Sequence, residues 1–224
     1  MPAMAFDAGP PPDCQVCPRL ARYRADNRAE HPDWSNAPVA SFGDPGARLL
    51  IVGLAPGLRG ANRTGRPFTG DYAGDLLYAT LGEFGFALGV YDKRVDDGLK
   101  LSDCAISNAV RCVPPQNKPT PEEIASCRPY LVTAIGALPR LRAIVALGRI
   151  AHDTALRALG RRLAAHPFAH GARHDLPAGA PVLFDSYHCS RYNTNTGVLT
   201  TEMFREVFRA ARAFLDPRAG PTVE

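Results

Sequence analysis

Four cysteines have the spacing of a metal site. Cys14 and Cys17 form a C-x-x-C turn, which directs two thiolates toward one ion. Cys112 follows a predicted strand, and Cys127 lies in the next predicted helix, which can fold back over the intervening loop. Four thiolates suit either a tetrahedral zinc ion or a 4Fe–4S cluster, and the residues alone leave both open. A metal-free C-x-x-C beside ordinary buried cysteines is the third alternative.

A glycine-rich loop follows the first predicted strand and could bind a ligand through its backbone N–H groups. It comprises the runs Gly53–Gly57 (GLAPG) and Asn62–Asp71 (NRTGRPFTGD), which match neither G-x-G-x-x-G nor the P-loop. The second run supplies Phe68, on which a planar ligand could stack, and Asp71, an acid at the start of the next helix. The alternatives are a core aromatic residue for Phe68 and a helix N-cap for Asp71.

Two polar side chains lie where other predicted strands end. Asn108 stands in an otherwise apolar strand, where a buried amide must be hydrogen-bonded or cost about 1–3 kcal/mol. With a donor and an acceptor, that amide could bind the edge of a nucleobase. His188 precedes the polar run Ser190–Gly197 (SRYNTNTG) and is placed to donate a hydrogen bond to a ligand. The run suits contacts with a nucleic-acid backbone and its grooves. The alternative is an ordinary loop with one satisfied histidine.

Three further histidines follow one another at intervals of four residues: His166, His170 and His174. On a helix they would form one face of metal ligands, but Pro167 and Gly171 interrupt any helix there. We therefore expect a surface loop without a metal. Cys104, at the start of a predicted strand, is expected to be a small core residue.

Short apolar runs separated by helical patterns predict the elements that position these residues. Four runs are continuous rather than alternating, which is typical of parallel strands covered on both faces: Leu49–Leu54, Ala105–Val110, Ala143–Leu147 and Val182–Phe184. Helices are predicted from a capping box at Thr120 to about Ala137, over Ala151–Leu163 and over Thr201–Leu215. The pattern predicts a three-layer α/β/α sandwich around a mostly parallel four-stranded sheet, with ligands at the carboxyl ends of the strands.

The composition is that of one folded domain. Hydrophobic residues make up 46% of the 224 residues and charged residues 21%, which favours a sizeable core over disorder. We expect a flexible tail over residues 1–13, a single domain over 14–217 and a flexible tail over 218–224. Because the chain has neither a bilayer-length apolar run nor the features of a signal peptide, membrane and secreted classes are not expected.

Arginine dominates the basic residues. The net charge is only +4, but the chain has 23 arginines and 3 lysines. Arginine suits phosphate and base-edge contacts, although the abundance of Ala, Gly and Pro indicates that high-GC codon usage explains most of the excess. This charge permits nucleic-acid binding without establishing it.

In combination, these motifs resemble the iron–sulfur uracil-DNA glycosylases of bacteria and archaea, in particular their family 5 (type b) branch. The resemblance covers about residues 14–214 and rests on the two glycine-rich runs, on Asn108–Cys112 and on Tyr187–Gly197. It implies the uracil-DNA glycosylase fold. It also implies a 4Fe–4S cluster, which decides between iron–sulfur and zinc, on four cysteines: Cys14, Cys17, Cys112 and Cys127.

The resemblance also implies roles for the site residues. Catalysis falls to Asp71, His188 and Asn108, since the first-motif position that often holds Asp or Asn is Ala55 here. The base contacts Gly53, Ala55, Gly57, Phe68, Asn108 and His188, with Phe68 stacking on it and His188 stabilising charge on the leaving base. DNA contacts fall to Arg63, Ser190, Arg191, Tyr192 and Asn193. Cys189 replaces the proline that usually follows the histidine.

We therefore predict a monofunctional glycosylase that hydrolyses the N-glycosidic bond of uracil in DNA and initiates base excision repair. Other deaminated bases such as hypoxanthine are further expected substrates. The expected partners are double- and single-stranded DNA containing such bases, and we expect a cytoplasmic, nucleoid-associated bacterial monomer. The alternatives are a non-catalytic iron–sulfur DNA-binding module, in which Asp71 and His188 would not share a pocket, and an electron-transfer protein.

Overall fold

Every apolar run that the sequence analysis assigned to a strand forms one. The computed structural model describes residues 9–177 and 179–217. Its helices and strands, in chain order, are α1 (Pro18–Glu30), β1 (Phe42–Gly43), β2 (Leu49–Gly53), α2 (Ala61–Thr64), α3 (Tyr72–Glu83), β3 (Ala87–Leu88), β4 (Lys100–Leu101), β5 (Cys104–Asn108), α4 (Pro121–Gly136), β6 (Ala143–Leu147), α5 (Arg149–Ala158), β7 (Arg173–His174), β8 (Val182–Ser186), α6 (Arg191–Asn195) and α7 (Thr201–Leu215).

The central sheet has six strands in the order β1-β5-β2-β6-β8-β7. The four inner strands are parallel and the two edge strands are antiparallel. The mostly parallel sheet is therefore as predicted, but the count of four strands is wrong. Each edge strand has two residues, too few to carry a periodic pattern. A separate two-stranded ribbon pairs β3 with β4.

Helices cover both faces of the sheet, which confirms the three-layer sandwich. Successive residues of β2 point to opposite faces: Ile51 packs in the core that contains α3 and α7, whereas Leu50 packs in the core that contains α4 and α5. Both side chains are fully buried. Burying each stabilises the fold by about 1.5–3 kcal/mol, which explains why the strands are apolar throughout.

The helix α4 begins with the predicted capping box. The Thr120 hydroxyl accepts a hydrogen bond from the Glu123 N–H (3.3 Å), and the Glu123 carboxylate accepts one from the Thr120 N–H (2.8 Å). Arg19 of α1 donates to the same carboxylate (2.7 Å), so the cap also fixes α1 against α4. The helix predicted over Ala151–Leu163 is shifted: α5 runs over Arg149–Ala158 and gives way to Gly160, whose φ is +68°.

The histidine run near residue 170 is not the surface loop we expected. His174 lies in the edge strand β7, mostly buried, with its Nε2 2.9 Å from the carboxylate of Asp185. His170 accepts a hydrogen bond at Nδ1 from the Tyr187 N–H (3.0 Å). The sequence pattern could not show this, because the partners lie in or directly after β8, which only the tertiary fold brings beside these histidines.

Part of the predicted N-terminal tail is bonded to the domain. Arg28 of α1 forms an ion pair with Asp13 (2.6 Å) and donates a hydrogen bond to the Pro12 carbonyl (3.1 Å). Residues 1–8 and the predicted tail at 218–224 lie outside the described residues. Within the described ranges, no helix combines the length and the apolar character needed to cross a bilayer.

Candidate functional site

A cavity of about 400 Å³ opens where β2, β5 and β8 end. It collects eight of the predicted site residues from distant parts of the chain: Ala55, Gly57, Phe68, Asp71, Asn108, His188, Ser190 and Arg191. The loops that leave parallel strands meet at one edge of the sheet, which is why residues so far apart in sequence share one cavity. Gly53, Arg63, Tyr192 and Asn193, also predicted, are not among the residues that line it.

Gly53 acts by lacking a side chain. It pairs in register with Asn108 on β5, and a Cβ at this position would collide with the Asn108 amide oxygen and approach the Phe68 Cζ at 2.7 Å. The Asn108 amide oxygen is buried and accepts no hydrogen bond from any described residue. Because an unpaired buried acceptor costs about 1–3 kcal/mol, it is a group that a bound ligand would satisfy.

Phe68 is held in a backbone conformation that non-glycine residues rarely adopt, with φ of +53°. The Tyr91 hydroxyl donates to the Phe68 carbonyl (3.0 Å) and accepts from the Gly70 N–H (3.1 Å). Gly74 closes on the same carbonyl so tightly that a Cβ there would overlap it. The loop thus fixes the Phe68 ring, which belongs both to the core and to the cavity wall.

Asp71 is the N-cap of α3, and it also lines the cavity. One carboxylate oxygen caps α3 by accepting from the Gly74 N–H (3.2 Å). The other faces Gly57 and Gly60, where an added Cβ would intrude on the carboxylate. Burial raises the pKa of Asp71 above its ordinary value, although the Gly74 N–H opposes the shift. The site therefore contains a partly desolvated carboxylate in a fixed position.

His188 lies in the cavity wall, and its ring centroid is 6.0 Å from that of Phe68. Burial lowers the pKa of His188 to about 4, so the ring is neutral at physiological pH and offers one N–H donor. Asn193 donates its amide to the His188 carbonyl (2.8 Å). The following residue, Cys189, is fully buried and donates its thiol to the Ala73 carbonyl (3.5 Å). These two contacts hold the loop in the absence of the usual proline.

The predicted DNA-binding residues differ in whether their side chains are exposed or already hydrogen-bonded within the protein. Arg63 is exposed, and Tyr192 is 73% exposed. Arg191 is also exposed, and its guanidinium lies 5.3 Å from the centroid of the Tyr72 ring. Ser190 caps the short helix α6 through its hydroxyl. The side-chain amide of Asn193 is committed to His188, so this residue supports the site from within rather than presenting a free group to solvent.

The sequence analysis did not identify several residues of the site. Asn117 and Tyr72 line the cavity, and Tyr91 braces Phe68 from the loop before β4. Tyr72 directly follows Asp71 in the glycine-rich motif, which was an available signal. Asn117 and Tyr91 lie in loops without a recognisable pattern, and only the tertiary fold brings them to the site.

The four predicted cysteine ligands line one enclosed apolar space between α1, α4 and the loop after β5. Arg24, 3% exposed, donates to the Cys112 sulfur (3.5 Å), and the Arg111 N–H donates to the Cys127 sulfur (3.3 Å). Burial raises the pKa of Cys17 to about 11 and that of Cys112 to about 12. We call the four cysteines the thiol cluster. Ala55 packs against this cluster and also lines the cavity of about 400 Å³.

The donors around these thiols suit a thiolate-bound metal centre. A buried guanidinium and a backbone N–H, both directed at sulfur, complement the negative charge of a thiolate-bound cluster.

Comparison with known proteins gives matches over most of the chain. A model of the uracil DNA glycosylase superfamily matches residues 40–212. The chain is 49% identical to the Type-5 uracil-DNA glycosylase of Thermus thermophilus, over 89% of this chain and 92% of the relative. It is 41% identical to the Type-5 uracil-DNA glycosylase of Pyrobaculum aerophilum, over 90% of this chain and 88% of the relative. The Type-4 uracil-DNA glycosylase of P. aerophilum is 36% identical over 67% of this chain and 63% of its own length.

Proposed function

The chain belongs to the uracil DNA glycosylase superfamily, and we propose that it excises uracil from DNA by hydrolysing the N-glycosidic bond in the cavity described above. The observation that carries this proposal is that an aromatic ring, an unpaired amide, a neutral imidazole and a carboxylate line one cavity. They belong to Phe68, Asn108, His188 and Asp71. An enzyme with such a cavity acts on a base that has been flipped out of the DNA stack.

Phe68 and Asn108 recognise the flipped base. The base stacks on the Phe68 ring, whose position the Tyr91 hydroxyl fixes before any ligand arrives. The Asn108 amide bonds the polar edge of the base, and its unpaired oxygen gains the hydrogen bond that it lacks. The amide thus adds affinity for a base with N–H groups on that edge.

His188 and Asp71 act on the charges that appear as the bond breaks. The departing base becomes an anion and the sugar becomes oxocarbenium-like, so catalysis is mostly electrostatic. The His188 N–H donates to the base anion, and the ring works as a neutral donor because burial depresses its pKa. Asp71 supports the cationic sugar or orients the attacking water. Both groups act on charge that is absent from the ground state, so they raise the rate more than the affinity.

The chemistry is monofunctional. A bifunctional glycosylase needs an amine nucleophile to form a Schiff base with the sugar. All three lysines lie in the described part of the chain, and none of them lines the cavity. Hydrolysis therefore leaves an abasic site, which begins base excision repair. With Ala55 in the first motif, the cavity lacks a uracil-selecting acid there, so deaminated purines such as hypoxanthine are further proposed substrates.

Cys14, Cys17, Cys112 and Cys127 hold a 4Fe–4S cluster in this proposal. The convergence of the four cysteines on one apolar space and the buried Arg24, which donates to the Cys112 sulfur, support the assignment. When bound, the cluster supplies a covalent cross-link among α1, α4 and the loop after β5. The protein is further proposed to work as a cytoplasmic, nucleoid-associated monomer on single- and double-stranded DNA. Asp71 and His188 share one cavity, which favours an enzyme over a non-catalytic binding module.

The experiment is a base-release assay on oligonucleotides that contain a single uracil, hypoxanthine or xanthine, in single- and double-stranded form. Release of free uracil, with an intact abasic strand until alkali is added, is the expected result. Strand cleavage without alkali would contradict the monofunctional mechanism. Tight binding without base release would support the binding module instead.

A further inference from the structure

A buried histidine–carboxylate cluster lies near the end of β8, among residues that do not line the cavity. Its centre is Asp185, whose carboxylate is fully buried. One oxygen lies 2.7 Å from Nδ1 of His152 on α5, and the other lies 2.9 Å from Nε2 of His174 on β7. The His152 side chain is 1% exposed, so neither member of that pair is solvated.

The surroundings of His152 determine its protonation state. Nδ1 faces the Asp185 carboxylate, and Nε2 lies 2.9 Å from the backbone carbonyl of His166. Both neighbours are acceptors, whereas a neutral imidazole carries only one N–H. Both contacts are hydrogen bonds only if both ring nitrogens are protonated. With Asp185 ionised, an acceptor faces each ring nitrogen, and this arrangement favours an imidazolium paired with Asp185 by a charge-assisted hydrogen bond.

This ion pair anchors the segment 166–174 to β8. The segment carries the His166 carbonyl at one end and His174 at the other. Between them, the Gly171 N–H donates to the Asp185 carbonyl (2.9 Å), and the Asp185 N–H donates to the Ala172 carbonyl (2.9 Å). The carboxylate of Asp185 and its backbone thus hold the same segment.

The anchored segment in turn holds the chain beside the cavity. His170 accepts the Tyr187 N–H and stacks on the Tyr187 ring, with centroids 4.9 Å apart. Tyr187 immediately precedes His188. Only Ser186 and Tyr187 therefore separate Asp185 of the buried ion pair from the imidazole of His188 in the cavity.

We propose that Asp185 and His152 are positioning residues for His188: their charged pair locks the segment 166–174 against β8 and so fixes where the His188 N–H points. This proposal rests on the proposed function for its catalytic consequence. The ion pair itself stands on the geometry of the two ring nitrogens. A displacement of about 1 Å at a catalytic group can lower a rate by about 100-fold, so the pair matters at a distance.

The charge on His152 makes the positioning dependent on pH. Burial disfavours the imidazolium, but the hydrogen bond and charge of Asp185 outweigh burial and raise the pKa of His152 above 6.5. The titratable or charged groups around it are Asp185 from β8, His174 from β7, His166 from the preceding loop, and Asp153 and Arg149 from its own helix. As the pH rises through the folded-state pKa of His152, the ring loses its positive charge, and the ion pair that holds the segment 166–174 is lost.

The first experiment needs no substitution and no substrate. Two-dimensional ¹H–¹⁵N spectra of the histidine rings in the full chain report the protonation of each nitrogen. We expect His152 to carry protons on both nitrogens below pH 6.5, with the midpoint of its titration above that value. A His152 ring with a single proton below pH 6.5, or one whose Nδ1 signal responds to added Zn²⁺, would overturn the proposal.

The second experiment compares Asp185→Asn with Asp175→Asn, a matched loss of an exposed carboxylate that pairs with Arg173. Uracil release from single-stranded DNA is measured in single turnovers, well below the melting temperature. We expect Asp185→Asn to lower the rate about tenfold or more with unchanged DNA affinity. We also expect it to abolish the decline that the wild-type rate should show as His152 loses its proton. Asp175→Asn should change neither the rate of uracil release nor its dependence on pH.

The outcomes separate this inference from the proposed function. Inactive wild-type protein would refute the glycosylase proposal while leaving the protonation result to be judged alone. Active wild type with an equally active, folded Asp185→Asn variant would refute the positioning role. A lower melting temperature with an unchanged rate and pH profile would likewise show that the pair is only structural.

Discussion

The rings of Phe68 and His188 are nearly parallel, with an interplanar angle of 27° and centroids 6.0 Å apart. A planar base between them would need about 7 Å, since carbon atoms in contact are about 3.5 Å apart. In the proposed binding mode, the base would therefore stack on one face of Phe68 and present its edge to His188. The His188 N–H would then donate a hydrogen bond to that edge.

Replacing His188 tests that donor. We expect His188→Ala to lower single-turnover uracil release by about 100- to 1000-fold, as for loss of an oxyanion-type donor. His188→Gln, which keeps an N–H, should retain part of the activity. Since the pKa of His188 is about 4, its protonation should not affect rates between pH 5 and 8. His31→Ala, which alters a histidine stacked on Trp34 far along the chain, is the control.

Two substitutions of Asp71 should separate its contribution to stability from its contribution to catalysis. Asp71→Asn keeps a side-chain acceptor for the Gly74 N–H, so the melting temperature should change little. Its turnover should nevertheless fall sharply, because the charge is lost. Asp71→Ala loses the cap as well and should cost about 1 kcal/mol of stability in addition. Equal turnover in Asp71→Asn and the wild type would remove this residue from the mechanism.

Asn108→Ala should weaken base recognition without destabilising the fold. The Asn108 oxygen is buried and unpaired in the free protein, so its removal relieves a cost rather than breaking a bond. We expect an unchanged or higher melting temperature, together with weaker binding of uracil-containing DNA. Affinity for undamaged DNA should stay the same. Asn195→Ala, at an exposed amide of α6, serves as the comparison.

The cysteines allow an internally controlled test of the cluster. Cys112→Ala should lose iron and the brown colour of the purified protein, because Cys112 lines the thiol cluster. Cys104→Ala should keep both, although Cys104 is equally hidden from solvent, because it lies in the sheet core. Zinc without iron in anaerobically prepared wild-type protein would contradict the 4Fe–4S assignment.

The loop after His188 should contribute more to uracil release from duplex DNA than from single-stranded DNA. Arg191 lines the cavity and is exposed, and the ring of its neighbour Tyr192 is exposed as well, so we expect both to brace the gap when a base leaves the stack. The double variant Arg191→Ala/Tyr192→Ala should therefore lose far more activity on duplex uracil than on single-stranded uracil. Equal losses on both would mean that the loop only binds the DNA backbone. No loss on either would point to Arg59–Arg66.

The sequence predicted the buried strands well because a strand covered on both faces must be apolar throughout. It predicted where the site residues meet because the loops that leave parallel strands share an edge. The two-residue edge strands escaped notice, since their pairing depends on neighbours rather than on their own residues. Tyr91 and the His152–Asp185 pair were missed for the same reason: each is defined by a contact between distant segments.

Asn108 and Cys112 are four residues apart, which limits the chain between them to about 14 Å. In the proposed roles, the amide that reads the base and one of the cluster ligands are thus parts of one short stretch of backbone. A change that shifted Cys112 would also shift Asn108, so the state of the thiol site and the recognition of the base would change together.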